Sequence, residues 1–253
     1  MGEVSLKVEL IGKTYLSNKF YFKIAEEIED PGLMEMIDDN GTKALALTAI
    51  RTCYSSNRPT EIVAKEAEKY FKQWATDDGG GREADRLIRQ IVRSKHTSTL
   101  EHLSYTFAIE GLSRAALAQL TRHRHMSFSV QSQRYVKFGS GDKAGGFDYV
   151  VPPSARDELT GDSSRFDLVM DAIQKVYDDL RKKGVPAEDA RFVLPNATAT
   201  NLVLTGNLRA ILEFYAKRQA GRGAQWEIGH LAECIRAEIY EEDPWVDELF
   251  EMV

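Results

Sequence analysis

The sequence predicts an α+β fold, a single domain of residues 1–253 in which a mixed or antiparallel sheet packs against several long helices. Three observations predict it. Two stretches alternate apolar and polar residues with the period of a half-buried strand, and several others carry apolar residues at helical spacing. No internal repeat, coiled-coil heptad or low-complexity tract interrupts them. With 253 residues, 43% of them hydrophobic and 28% charged, the chain can build a sizeable core in one large domain.

Val4 to Leu10 is the first predicted strand, with Val4, Leu6, Val8 and Leu10 on one face and Ser5, Lys7 and Glu9 on the other. Pro31-Gly32 and Asn40-Gly41 act as breakers before Thr42 to Thr52, an Ala- and Leu-rich buried helix ending near Cys53-Tyr54-Ser55-Ser56. A second helix, Thr60 to Ala75, aligns Val63, Ala67, Tyr70, Phe71 and Trp74 along one side. After the turn Asp77 to Gly81, Glu83 to Arg93 is helical through Leu87, Ile88, Ile91 and Val92. Ser98 is placed to cap a helix, with Glu101 three residues on as its capping-box partner.

Leu103 to Glu110 alternates as the clearest strand, and Gly111 is expected to break it. Leu112 to Thr121 follows as a helix with Gln119 and Arg122 on one side. Gly139 to Gly146 is a Gly/Lys/Asp loop where insertions would be tolerated, and Tyr149 to Pro153 is a short extended segment stopped by prolines. Ser164 to Lys183 should be a long surface helix carrying Val169, Ile173, Val176, Tyr177 and Leu180, stopped by Gly184 and Pro186. Arg191 to Pro195 and Thr198 to Thr205 are expected to be extended, with helices over Asn207 to Lys217 and Gln225 to Glu238.

A net charge of −6 and a pI near 5.5 argue against wholesale coating of nucleic acid or membrane. No apolar run approaches the roughly 18 residues that span a bilayer. Two cysteines cannot make a disulfide framework, and the N-terminus shows no charged region followed by an apolar core. A cytoplasmic location is the expectation.

Against this acidic background, Arg122 to Tyr135 holds three arginines, two histidines, three serines and two glutamines, and no Asp or Glu occurs from Gly111 to Ser140. Solvated basic faces usually interleave carboxylates, so an acid-free run of planar hydrogen-bonding side chains points to a ligand with phosphates and a polar ring. Arginine's fork suits bidentate contact with phosphate oxygens. Four of the five histidines lie between positions 96 and 125, yet no His-Glu-x-x-His spacing or adjacent His-Asp pair appears, so no metal is expected.

Arg209 and Glu213, four apart, could form an intrahelical ion pair. Arg218, nine positions after Arg209, falls on the opposite face of an ideal helix at about 100° per residue. Cys53 and Cys234 lack a base in their sequence neighbourhood that would favour a nucleophilic thiolate, although Arg51 is two residues from Cys53.

Arg122-His123-Arg124, seven residues, then Ser132 resembles the signature of the flavin-dependent thymidylate synthases, and the flanks agree. They comprise His96 with Leu100-Glu101-His102, Gly111-Leu112-Ser113-Arg114, Gln119 and Ser132-Gln133-Arg134-Tyr135. Downstream, Arg191 to Pro195, Asn207-Leu208-Arg209, and Arg218 with Ala224 to Glu227 extend the likeness, which runs from about Leu45 to Trp245.

The resemblance implies a homotetramer with active sites between subunits, and reductive methylation of dUMP to dTMP. FAD reduced by NADPH would supply the hydride, and methylenetetrahydrofolate the carbon. It implies cofactor contacts from His96, Ser98, Glu101, Arg122, His123, Arg124, Asn207, Arg209 and Glu213. It implies dUMP contacts from Gln119, Leu120, Thr121, Arg122, Val130, Gln131, Ser132, Gln133, Arg134, Arg191 and Arg218. Arg218 resembles the family's activating arginine, which favours ionisation at N3 of the pyrimidine. Val130 stands where some members carry Glu or Gln, and Glu213 where others have Asn or His.

Two readings of other classes compete. A non-enzymatic nucleotide- or RNA-binding module could use Arg122 to Tyr135 as a cationic platform, but would be expected to be basic overall with interleaved aromatics. A metal-dependent phosphohydrolase could use the clustered histidines and would lose activity on chelation.

Overall fold

The computed structural model describes residues 1–156 and 163–253. In chain order the elements are β1 (Lys7–Lys13), α1 (Asn18–Glu27), α2 (Pro31–Asp39), α3 (Gly41–Thr52), α4 (Ile62–Ala67), α5 (Glu83–Arg93), β2 (Ser104–Ser113), α6 (Arg114–Leu120) and β3 (Met126–Val130). They continue as α7 (Ser164–Lys182), α8 (Ala187–Ala190), β4 (Ala199–Asn207), α9 (Leu208–Arg218), α10 (Trp226–Glu242) and α11 (Asp247–Glu251). The strands form a small antiparallel sheet in the order β1-β2-β4-β3, so the fold is α+β as the sequence predicts. The chain divides into two compact units, the first formed by residues 1–9, 107–204 and 225–231 and the second by 10–106, 205–224 and 232–253.

The second unit is mostly helical. Ile50 of α3, Ile62 and Val63 of α4, Leu100 and Ile211 of α9 are all fully buried. α5 keeps the predicted bounds because its signals agree at both ends. Arg82 N–H donates to Asp85 Oδ2 at 2.7 Å, the carboxylate half of a capping box, and Leu87, Ile88, Ile91 and Val92 are buried along one stripe. The helix ends in a Schellman turn: Lys95 N–H donates to Val92 O (3.0 Å) and His96 N–H to Ile91 O (3.1 Å), with Lys95 at φ 60°.

The sequence expectations fail here in three places. α1 lies in a stretch for which no element was expected, and α2 lies between the two pairs read as breakers; Pro31 sits at the first turn of α2, where its missing N–H costs nothing, behind Asp30 as N-cap. The helix expected over Thr60 to Ala75 stops being α-helical at Ala67 and widens to a π-turn over Glu68–Lys72. Trp74, expected in the core, is 71% exposed, with the Arg82 guanidinium 4.0 Å from its ring centroid. Finally, Thr97–His102 is a 3-10 turn whose N-cap is His96, so Ser98 and Glu101 form no capping box.

In the first unit a cluster of Phe138, Phe147, Tyr149, Val151, Met170, Tyr177 and Ala190 forms the core. Buried Gln174 of α7 clamps the two ends of the 139–146 loop, accepting from Phe147 N–H at 3.0 Å and donating to Phe138 O at 2.8 Å. Ser140 Oγ donates to Asp178 at 2.7 Å as well, so the loop expected to tolerate insertions is pinned to α7. On α7 itself, Val169 and Val176 are half exposed although their spacing placed them on the core stripe.

Gly111 does not end β2. At φ 73° it lets the strand bend and continue to Ser113, and a Cβ there would lie 2.5 Å from Ser5 O. Arg191 to Pro195, expected to be extended, begins as a 3-10 turn over Arg191–Val193 directly after α8.

Candidate active site

Apart from Arg191, which follows α8, and Arg218, on α9 of the second unit, the residues expected around dUMP lie on α6, β3 and the turns that follow them in the first unit. Ser113 starts α6: its Oγ accepts from Ala116 N–H at 3.0 Å and donates to buried Glu227 at 2.5 Å. α6 carries Gln119, half-buried, into a turn in which Arg122 N–H donates to Gln119 O at 3.2 Å and His123 N–H to Leu120 O at 3.0 Å. Arg122 and Arg124 are exposed, and no ion pair joins either to a carboxylate among the described residues. Such guanidinium groups are ready for an external anion.

Leu120 is fully buried, so only its backbone could meet a ligand, and Thr121 Oγ is occupied by Leu117 O at 3.0 Å. β3, absent from the sequence expectations, ends at half-buried Val130, and Gln131 N–H donates to Asn201 O at 2.9 Å. Ser132 Oγ accepts from Arg134 N–H at 3.2 Å, which shapes the turn bearing buried Gln133 and exposed Arg134.

Glu188 holds two arginines of this unit. Its carboxylate pairs with Arg134 Nε at 3.2 Å while its carbonyl accepts from Arg191 Nε at 3.1 Å. The Arg134 pair is more than half exposed on both sides, so it orients the guanidinium more than it neutralises it. Arg114 feels the same group: burial, and then the charge of Arg191, hold it below the usual arginine range. Neighbouring guanidinium groups of this kind favour a phosphate dianion.

The second unit holds His96, Ser98, Glu101, Asn207, Arg209, Glu213 and Arg218. A cavity of about 450 Å³ is lined by Leu45, Ala49, Cys53, Pro59, His96 and Ser98 among others. Its size and apolar walls suit part of a heteroaromatic ligand. Glu101 is not among its lining residues; it accepts from Arg209 Nη1 at 2.7 Å, while Arg209 Nε donates to Glu213 at 3.0 Å. The expected Arg209–Glu213 pair is therefore present, and Glu101 completes a two-carboxylate clamp on one guanidinium. Asn207 caps α9, its Oδ1 accepting from Ala210 N–H at 2.9 Å, which leaves its amide nitrogen to offer a ligand. α9 is continuous from Leu208 to Arg218, so Arg209 and Arg218 stand on opposite faces.

Sequence reasoning missed Glu188, Arg114 as a member of the cationic group, and Tyr54. Arg114 had a signal, since it closes the Gly111 to Arg114 motif; Tyr54 was noted only as a helix end. Tyr54 Oη lies 2.7 Å from His96 Nδ1. Cys234 is partly buried, and burial, with Glu238 and Glu233, pushes its thiol up, away from nucleophilic character. Among the described residues no three His, Cys, Asp or Glu side chains group as a metal site, and no helix is long and apolar enough to cross a membrane.

The sequence profile of the family described as "Thymidylate synthase complementing protein" matches residues 35–245. A flavin-dependent thymidylate synthase of Geobacter sulfurreducens is 44% identical over 192 residues, covering 75% of this chain and 73% of that one. The chain belongs to the flavin-dependent thymidylate synthase family. A second flavin-dependent thymidylate synthase, from Halobacterium salinarum, is 37% identical over 218 residues, covering 74% of this chain and 88% of that one. The fold agrees. Thymidylate synthase X of Helicobacter pylori, solved with FAD and dUMP, superposes with TM-score 0.63 at 23% identity over 98% of both chains. A UMP/dUMP methylase, PolB of Streptomyces cacaoi, bound with 5-Br dUMP, superposes with TM-score 0.66 at 23% identity over 99% of this chain and 96% of that one.

Proposed function

We propose that this chain, acting as one functional domain in the cytoplasm, methylates dUMP reductively to dTMP. FAD is the bound cofactor, NADPH the reductant and methylenetetrahydrofolate the carbon donor. The observation that carries the reading is the family match over residues 35–245, which contains every residue assigned to the site. The reading as a nucleotide- or RNA-binding module is not favoured.

Arg122, His123 and Arg124 hold the flavin nucleotide, with Arg122 near both ligands, and the exposed guanidinium groups suit its pyrophosphate. His96 and Ser98 lie beside the apolar cavity of the second unit, whose size fits a ring system and whose few polar groups fix orientation. Glu101, Arg209, Glu213 and the capping Asn207 supply charged and polar contacts to the same cofactor. Bound flavin supplies the hydride, a role no side chain can fill. Gln119, Gln133 and the backbone of Leu120, Thr121, Val130 and Gln131 surround the nucleotide. Ser132, Arg134 and Arg191 take its phosphate. Arg218 sets a fixed positive charge beside the pyrimidine, which stabilises negative charge on the ring.

Arg209 and Arg218 point to opposite sides of α9, an arrangement that suits ligands shared between subunits of a homotetramer. A monomerising substitution is therefore expected to abolish FAD binding, and a monomer with native FAD affinity would refute the shared site. The test of the function itself is the absorption spectrum of the purified protein. Flavin bands that bleach on anaerobic addition of NADPH are expected; a colourless protein that cannot be loaded with FAD would refute the assignment.

A further inference from the structure

We propose that Tyr54 is a positioning residue for His96: its hydroxyl, bonded to Nδ1, holds the imidazole in the tautomer that offers Nε2–H to the cavity of the second unit. The functional consequence rests on the assignment of His96 to the flavin side of the site, whereas the tautomer itself does not.

The contact is well defined. Tyr54 Oη and His96 Nδ1 are 2.7 Å apart, and the two rings meet edge to face with centroids 5.8 Å apart at 89°. A neutral imidazole has one N–H donor and one acceptor nitrogen. If the phenol donates to Nδ1, the ring proton must sit on Nε2, the nitrogen left for the cavity that His96 lines. A donor there suits the carbonyl oxygens and imine nitrogens along the edge of a flavin ring.

Both partners are anchored by independent local structure. Tyr54 belongs to the turn that ends α3, where Tyr54 N–H donates to Arg51 O at 2.9 Å and Ser55 N–H to the same oxygen at 2.7 Å. Glu66 grips that turn through Arg51 Nε at 2.6 Å, Ser55 Oγ at 2.5 Å and Asn57 Nδ2 at 2.9 Å. His96 is delivered by the Schellman turn after α5, in which Lys95 is the only non-glycine with positive φ among the described residues. Glycine is the usual occupant of that position, so the backbone holds a local cost in the residue that precedes His96. Thr99 Oγ then donates to His96 O at 3.2 Å, fixing the other side of the residue.

Tyr54→Phe tests this, because it keeps the ring contact and removes only the hydroxyl. Long-range ¹H–¹⁵N correlation spectra of protein labelled in histidine, recorded at mildly alkaline pH, are expected to show His96 with the proton on Nε2; His96→Gln assigns the signal. In Tyr54→Phe that signal should move towards a tautomer mixture while His102, His123, His125 and His230 stay unchanged. An Nδ1–H tautomer in the wild type, or an unchanged tautomer in Tyr54→Phe, would overturn the proposal.

FAD titration supplies the second readout. Tyr54→Phe is expected to weaken FAD binding about three- to tenfold, the scale of one hydrogen bond, with no further loss in the His96→Gln background. Equal losses in both backgrounds would show that Tyr54 acts without His96 and overturn the proposal. Should His96→Gln leave FAD affinity intact while the tautomer behaves as expected, the flavin assignment of His96 falls and the positioning contact stands.

Discussion

Glu66→Gln should loosen the turn that carries Cys53 and Tyr54 without removing any residue of the site. Glu66 accepts three side-chain hydrogen bonds, one of them from a guanidinium at 2.6 Å, and its side chain is only 12% exposed against 20% for Arg51. Glutamine keeps one acceptor oxygen but sets an N–H₂ against these donors and leaves Arg51 without its countercharge. A hydrogen bond to a charged group contributes about 1.5–3 kcal/mol, so a loss of about 2–3 kcal/mol is expected. For a chain of this size that lowers Tm by about 5–10 °C. Burial alone would raise the Glu66 pKa, but the hydrogen bonds from Arg51, Ser55 and Asn57 and the Arg51 charge outweigh it and hold the carboxyl below its ordinary value. A depressed folded-state pKa gives stability that is fully present above the unfolded value of about 4.3 and is lost as pH falls through the folded value. Thermal melts of wild type and variant should thus differ most at neutral pH and converge on acidification. Equal Tm values at neutral pH, or a gap that widens in acid, would refute the reasoning.

Gly111→Ala combines a left-handed backbone with a Cβ 2.5 Å from Ser5 O, and should cost about 2–4 kcal/mol in urea denaturation. Arg218→Ala should keep flavin bound, by its absorbance, yet stop dTMP formation; undiminished turnover would remove Arg218 from the chemistry. Cys53→Ala and Cys234→Ala should both retain turnover if the proposed flavin route needs no covalent cysteine; the partly buried Cys234 thiol is pushed up, away from nucleophilic character. Loss of all activity in a well-folded Cys53→Ala protein would contradict that.

What could be read in the sequence was what short-range chemistry specifies. The bounds of α5 were legible because the Gly-rich turn before it and its apolar stripe agree. α2 was not, because Asp30-Pro31 looks alike as a breaker and as the start of a helix. Gly111 was misread for a related reason: the positive φ that usually ends a strand here lets β2 bend past Ser5. The acid-free arginine run was visible because charge composition is local. The partner of its Arg134 was not, since Glu188 lies 54 positions away, and neither was the meeting of Tyr54 with His96 across 42. Ser98 and Glu101 show the converse, an attractive local pairing overridden by the Arg209 clamp.

In the proposed reaction the hydride comes from reduced flavin and the folate gives only its carbon. This is tested most directly by supplying the purified protein with dUMP, FAD, NADPH and methylenetetrahydrofolate and identifying the folate released. The expected products are dTMP and tetrahydrofolate in equal amounts, with NADPH consumed in step. Dihydrofolate formed in step with dTMP, with no demand for NADPH, would contradict it.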